Sequence, residues 1–585
     1  MKIFLVNLKK QLSANFKPEF IYVAVFIYVF LVSVVLVRYL HLPGKHIGDM
    51  YYGFGELVNN LISTGRYEVC NSICLHAHRF PFVPLFLYLI SFISLKLSVV
   101  LFLKNIIVGF ILAFVFKNIL SKNLNQFTAL SIFLVLVTPQ FILHGFNIDY
   151  EEPYVTVALA LVFYFLLFHK KEEINTKFNT ESLIFGLINI LLFSIKSSLT
   201  YLCLFLPMLY FIRYRERRSL VIQYLILFIF IIVWSGFNYI NSGQFTISSS
   251  WNGWNLYKGN NQYTLQYYPK YNLDILDQKG MIEAPVLITN EWALDDYYKT
   301  KAKVFILDNP IIFLKSVFVK ATAFFFEIRP FGLEYGGFRY DSPLKYAGTF
   351  FMLLHRLLFL LTLVISIFFI KSKVKELRSL SILFLGFIIF YSGPFLLGFA
   401  YERHYVPLFL PVVFFLIEFR RLILKNDFTL SKKYFSELDV EMLGNSNFIF
   451  LDIDGTVAND GQHFVDNNIL SKINELKKNN ELYFCSNKNI CDRFKEITAA
   501  TGIFCLNIPH KKPDVKILKF IKNHKNFPLL VIGDKFLTDG LFAIRIGARF
   551  VMVRRLVSKS DSWQVKTIYL FDDVAFYLFR KIWFI

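Results

Sequence analysis

Charge is what this chain has least of. Only 18% of its 585 residues are Asp, Glu, Lys or Arg, while 55% are hydrophobic and the mean hydropathy is +0.49. That balance excludes a disordered chain and an ordinary soluble enzyme. Acids are the scarcer sign, 42 against 63 basic residues, yet the resulting +21 does not predict a nucleic-acid partner. The basic residues cluster in short loops beside apolar runs, where the positive-inside rule and anionic membrane lipid account for them. Acids sit mainly in loops and not mid-run, which speaks against a transport pathway. A cleavable signal peptide is not expected, because residues 1–17 are polar and basic and the apolar stretch after them is too long. Cysteine is sparse as well. Cys485, Cys491 and Cys505 are scattered as free thiols are in a reducing compartment. Cys70 and Cys74 share one polar segment; they either pair, stay apart, or hold zinc with His76 and His78, the disulfide being preferred to the metal.

What the chain does have is a series of apolar runs near the roughly 20 residues that span a bilayer. Phe20–Leu40, Leu97–Phe116, Phe127–Phe146, Tyr154–Phe168, Leu220–Tyr239, Ala347–Ile370, Ser379–Ala400 and Tyr405–Glu418 read as spans. Ser182–Arg213 reads as two shallow crossings meeting near Lys196. Phe80–Leu95 begins at Pro81 and Pro84 and reads as short or re-entrant, and Ile311–Phe326, with Lys315 and Lys320, as lying in the interface. About ten crossings of a cell inner (plasma) membrane result, with both termini cytoplasmic and loops 41–80 and 240–310 outside.

Past residue 425 the composition changes. A linker is expected over 426–445, a polar domain over 446–557, and an amphipathic segment over 558–585 that either lies on the inner leaflet or packs on the domain. Phe448–Val457, FIFLDIDGTV, reads as a buried strand opening into a Gly-containing loop, with Asp452 and Asp454 at its carboxyl end. Helical patterns over 468–478, 489–501 and 515–525 alternate with apolar strands at 482–485, 529–532 and 550–553. That alternation predicts an α/β doubly wound parallel sheet following an α-helical polytopic membrane domain (1–425).

Asp452-x-Asp454-Gly455-Thr456 resembles the first motif of the haloacid dehalogenase phosphatase superfamily. Ser486-Asn487, Lys512-Pro513 and Gly533-Asp534 with Asp539 follow in that family's order. Gly533-Asp534-x-x-x-Thr538-Asp539 looks most like the branch that includes phosphatidylglycerophosphate phosphatases. The resemblance implies Asp452 as nucleophile forming an aspartyl-phosphate and Asp454 as acid/base. It implies Mg²⁺ on Asp452, Asp454 (through its backbone) and Asp534, supported by Asp539. Ser486, Asn487 and Lys512 (Lys511 if the register slips by one) are implied to bind the phosphoryl group. The motif spacing leaves no room for a large cap domain, so an open site beside the membrane suits a phosphorylated lipid or sugar.

The first 425 residues carry a second set. Gly48-Asp49-Met50, Arg79-x-Pro81-x-x-Pro84, Glu152-Pro153, Asn252-Gly253-Trp254-Asn255, Gly259-Asn260-Asn261 and Arg403-His404-Tyr405-x-Pro407 occur in order. Together they resemble the C-type polytopic glycosyltransferases, such as protein O-mannosyltransferases and the lipid A aminoarabinose transferase. The resemblance implies a polyprenyl-phosphate sugar donor and a glycan, lipid or protein acceptor. Asp49 would take the acceptor proton. Lys196 and Arg403 would stabilise the leaving lipid phosphate, with Arg79 also on the substrate. Glu152 either positions the acceptor or holds a divalent metal. Each has an ordinary alternative: a solvated loop acid for Asp49, snorkelling for Lys196, an interface anchor for Arg403. The rival to this bifunctional enzyme is a transporter or flippase of lipid-linked sugars with a regulatory or inactive phosphatase-like domain.

Overall fold

The computed structural model describes residues 19–584 except 51–52, 71–72, 123–125, 170–179, 272, 283–284, 286–287, 289, 328–341, 426–427, 432, 461, 463–464, 489–497, 500, 504–508, 522–523, 525–526 and 559–560. The basic N-terminal residues Lys2, Lys9, Lys10 and Lys17, the Lys170-Lys171 pair, Cys491, Cys505 and most of the expected helix 489–501 lie outside the described residues. Two compact units divide the chain: Met1–Leu363 with Leu383–Leu416, and Val364–Ile382 with Ile417–Ile585.

The first unit is helical. Among the described residues five helices of the chain are long and apolar enough to cross a membrane: Phe20–Tyr39, Leu97–Ser121, Arg217–Ser242, Tyr346–Phe369 and Lys375–Leu397. Phe127–Leu136 and Pro139–Phe146, bent by 65° at the break before Pro139, make six if taken as one span. Ten crossings are therefore not supported. The other apolar runs are cut short: Phe82–Ser91, Glu152–Phe168 and Thr180–Ile195 have 10–17 residues. At about 1.5 Å per residue none of these reaches across roughly 30 Å of hydrocarbon. Prolines open two of them, Pro81 ahead of Phe82 and Pro153 in the first turn after Glu152. Lys196, in extended backbone (φ −152°, ψ 128°), separates the third from the helix Thr200–Tyr214.

In the helix Pro310–Phe326 Lys315 is exposed and Lys320 is not. Lys320 is fully buried, donating to the carbonyls of Gly259 (3.1 Å) and Gly398 (2.7 Å). Those two backbones meet so closely that a Cβ on Gly259 would lie 1.8 Å from the Gly398 oxygen. Cys70 and Cys74 form a disulfide across the short antiparallel pair β1 (Val69–Cys70) and β2 (Cys74–Leu75). His76 pairs with Glu68 (3.1 Å) and Glu291 (3.3 Å).

The second unit holds a five-stranded, all-parallel sheet in the order β3-β7-β6-β4-β5. The strands are β3 (Phe428–Leu430), β4 (Phe448–Leu451), β5 (Glu481–Phe484), β6 (Leu529–Gly533) and β7 (Arg549–Met552). β4 reads as an unbroken apolar run because both faces are covered. Ile449 and Leu451 pack with Ile469, Ile473 and Leu476 of the helix Asn467–Lys477, while Phe448 and Phe450 pack with Phe542 and Ile546 on the other side. The 426–445 segment is no linker: it supplies the edge strand β3 and puts Phe435 and Leu438 into the core. The helix expected over 515–525 is a 3₁₀ segment, Val515–Phe520, capped by the Asp514 carboxylate on the Lys516 N–H (3.0 Å).

The C-terminal segment is one helix, Trp563–Phe584, and one face of it packs on the sheet unit. Asp572 accepts the N–H groups of Phe536 (3.0 Å) and Leu537 (2.7 Å), and Phe576 and Phe579 pack on Phe536. The opposite face exposes Trp563, Leu570, Phe571, Val574 and Tyr577.

Candidate active site

β5 lies on one side of β4 and β6 with β7 on the other, so the chain turns opposite ways from β4 and opens a crevice at its carboxyl end. Asp452 and Asp454 follow β4 into that crevice, Ser486 and Asn487 follow β5, and Asp534 and Asp539 follow β6. Gly455 makes the tight turn (φ +88°), and a Cβ there would lie 2.5 Å from Asp534 Oδ2. Gly533 is equally constrained, since its Cβ would meet the Asp539 carboxylate at 2.4 Å. Lys512 Nζ donates to Asp452 Oδ1 (2.7 Å) and to Asp539 Oδ1. Lys512, not Lys511, fills this position. Asn487 holds it there, receiving the Lys512 N–H (2.6 Å) and donating to the Lys512 carbonyl (3.1 Å). Ser486 Oγ donates to Asp454 Oδ2 (3.2 Å), and Thr456 Oγ1 donates to Asp534 Oδ1 (3.2 Å).

The electrostatics follow from packing four carboxylates into one dry place. Burial pushes Asp452, Asp534 and Asp539 above the usual carboxylate range, and the repulsion of neighbouring carboxylates adds to it. Burial alone would depress the lysines, but the surrounding carboxylates outweigh it and hold Lys512 and Lys535 above the usual lysine value. Asp452, Asp534 and Asp539 each bring an oxygen within 4.8 Å of the others, all three residues buried. With the Asp534 carboxylate lying directly against Gly455, the oxygens of Asp452 and Asp534 fit Mg²⁺, with Asp539 beside them.

A second cluster of charge lies in the helical unit. Glu152, buried at the start of the helix Glu152–Phe163, is surrounded by basic side chains. Lys196 Nζ is 2.7 Å from Glu152 and 3.1 Å from Glu151, with Arg403 at 3.8 Å and His404 at 3.6 Å from Glu152. Arg79 reaches Glu151 at 3.3 Å. The break at Lys196 makes this geometry, since a continuous helix would carry that side chain away from the helix end. Of the residues singled out in the sequence of the helical unit, Glu152, Lys196, Arg79 and Arg403 are brought together, and Asp49 is not. Asp49 is exposed and accepts the His46 N–H (2.8 Å). It lines a cavity of about 110 Å³ with Asp149 and Tyr150, and the Arg403 guanidinium lies 4.6 Å over the Tyr150 ring.

Sequence reasoning missed Glu151, His404, Lys535, Arg555 and Asp572. The first three adjoin residues already chosen, so proximity in the chain was a usable signal. Arg555 and Asp572 gave none. Arg555 donates to Asp534 Oδ2 (2.8 Å) and to Asp572 (2.9 Å), tying the C-terminal helix to the Asp534 loop.

Residues 413–558 match a family model described as mitochondrial PGP phosphatase, and the match takes in all the crevice residues from Asp452 to Asp539. It stops short of the Trp563–Phe584 helix and covers less than half of the chain. That family is of the haloacid dehalogenase type, which supports phosphatase chemistry for the sheet unit. No curated protein and no solved structure matches the chain. The family match does not extend to the residues before 413 that carry the sugar-transfer motifs Asp49 to Arg403.

Proposed function

We propose that the sheet unit is a Mg²⁺-dependent phosphomonoesterase acting through an aspartyl-phosphate on Asp452, with a phosphorylated lipid such as phosphatidylglycerophosphate as substrate class. The observation that carries this is the Lys512 ammonium on the Asp452 carboxylate, at the carboxyl end of β4, with Asp454 two residues on. Asp452 attacks phosphorus, and Asp454, oriented by the Ser486 hydroxyl, gives its proton to the leaving oxygen and later takes one from the attacking water. Lys512 screens the charge on Asp452 from the incoming phosphoryl oxygens, and Asn487 and Asp539 hold Lys512 in place. Mg²⁺ held by Asp452, Asp534 and the Asp454 carbonyl would add charge neutralisation at the phosphoryl group. The spacing between the motifs argues against a large cap domain, which suits a headgroup carried on a lipid. Full-length protein should release phosphate from this lipid, and Asp452→Asn should lower the rate by at least ~10³-fold with the melting behaviour unchanged. Activity retained in that variant removes Asp452 from the reaction.

For the helical unit we propose transfer of a sugar from a polyprenyl-phosphate donor. The support is the convergence of Lys196, Arg403 and Arg79 on Glu151 and Glu152, a cation-rich site suited to a leaving lipid phosphate. Asp49 remains the proposed base and Glu152 the anchor of the cations. The buried Glu152 is also what a transporter of lipid-linked sugars would contain. A reconstituted assay separates the two readings: Lys196→Met should abolish sugar transfer to an acceptor, whereas donor flipped across vesicles without transfer overturns the transferase. Orientation of the sheet unit toward the cytoplasm is part of the same proposal, drawn from the basic clusters at Lys371–Lys375 and Arg420-Arg421.

A further inference from the structure

Lys535 follows Asp534 directly, yet its side chain folds back into the crevice. Its ammonium lies 2.8 Å from the Asp454 carbonyl oxygen, 3.0 Å from Asp534 Oδ1 and 4.0 Å from Asp452 Oδ2. These are the three groups that the phosphatase reading assigns to Mg²⁺. A cation bound by all three would share its place with a lysine ammonium, and two positive charges cannot occupy one oxygen nest a few ångströms wide. Lys512 does not raise the same conflict: it sits on the other side of Asp452, on Oδ1, and on Asp539.

We propose that Lys535 is a tethered competitor of the divalent cation, so that metal loading requires its ammonium to leave the nest and the residue sets how much cation the enzyme needs. The lysine has somewhere to go. Its side chain is 16% exposed, and the Tyr569 ring of the C-terminal helix stands 5.5 Å from the ammonium, an aromatic face that can hold a cation. The Lys535 backbone does not need to move, because its N–H stays on Asp539 Oδ2 (3.2 Å) while the four-carbon stem swings. Asp534 keeps a positive partner throughout, since Arg555 Nε holds its other oxygen at 2.8 Å. This inference rests on the phosphatase reading only for which oxygens take the metal.

The test is calorimetric and thermal titration of full-length protein with Mg²⁺ and Mn²⁺, without substrate. Lys535→Met and Lys535→Gln should bind either ion about 10-fold more tightly or better, because a like charge is gone from the nest. Lys535→Arg, which keeps the charge, should not gain. The shift of the melting temperature on adding Mg²⁺ should be larger in the Met and Gln variants than in wild type. Asp534→Asn should abolish the binding in every background. Equal or weaker binding by both uncharged variants overturns the proposal, and so does binding that survives Asp534→Asn, since the ion then sits elsewhere. A wild type that binds Mg²⁺ as described but hydrolyses no phosphomonoester sinks the phosphatase reading and leaves the competition standing.

Discussion

The two charged clusters of this chain are built with opposite balances. In the helical unit two carboxylates, Glu151 and Glu152, meet Lys196, Arg79 and Arg403. In the sheet unit four, Asp452, Asp454, Asp534 and Asp539, share one crevice with three cations, Lys512, Lys535 and Arg555. An excess of cations favours a bound anion, and an excess of carboxylates favours a bound cation, because burial makes any uncompensated charge costly. The scaffolds differ in the same sense. The cation-rich cluster depends on places where helices fail, the break at Lys196 and the turn before Glu152. The acid-rich cluster depends on strands ending together, so that consecutive loops deliver their first residues into one crevice.

That contrast is broken most directly at the lysines. Lys512→Met should cost the phosphatase roughly 10²–10³-fold in rate, as loss of a preorganised charge partner does, while sugar transfer by the same preparation is unchanged. A fall in both activities would mean that the two clusters do not act separately. Asp572→Ala sharpens the comparison from the structural side. It leaves the N–H groups of Phe536 and Leu537 and the Arg555 guanidinium short of a buried acceptor, at a cost of about 1–3 kcal/mol. Limited proteolysis should then cut the sheet unit at lower temperature and leave the helical unit as resistant as before. A smaller effect concerns Cys485, whose buried thiol is pushed up to about 12 by desolvation. Iodoacetamide at neutral pH should leave it unmodified in folded protein and alkylate it after denaturation, read by peptide mass spectrometry. Alkylation of the native protein would show that the β5 end of the crevice opens.

Motif order was legible in the sequence because each motif is local. Asp452 and Asp454 lie at the end of their own strand, and Ser486 and Asp534 do the same, so reading strands and loops was enough to nominate them. The membrane part was legible as apolar but not as a number of spans. Hydrophobicity counts residues, whereas a span needs an unbroken helix, and Pro81, Pro139, Pro153 and Lys196 break the runs. The segment 426–445 was misread for a related reason. β3 is three residues long and gains its stability by pairing with β7, more than a hundred residues later.

By itself the sequence determined which residue types stand at the ends of β4, β5 and β6, since alternation and turn chemistry act over a few residues and survive without a fold. It also determined that the chain needs an apolar solvent for its helices. Only the tertiary structure decided the pairings: Lys512 on both Asp452 and Asp539, Lys535 turned back on the Asp454 carbonyl, Arg555 and Asp572 carrying the C-terminal helix to Asp534, and Arg403 beside Glu152. An ion pair forms between whichever charges the backbone brings within a few ångströms, and that distance is set by packing of the whole unit, not by any stretch of its sequence.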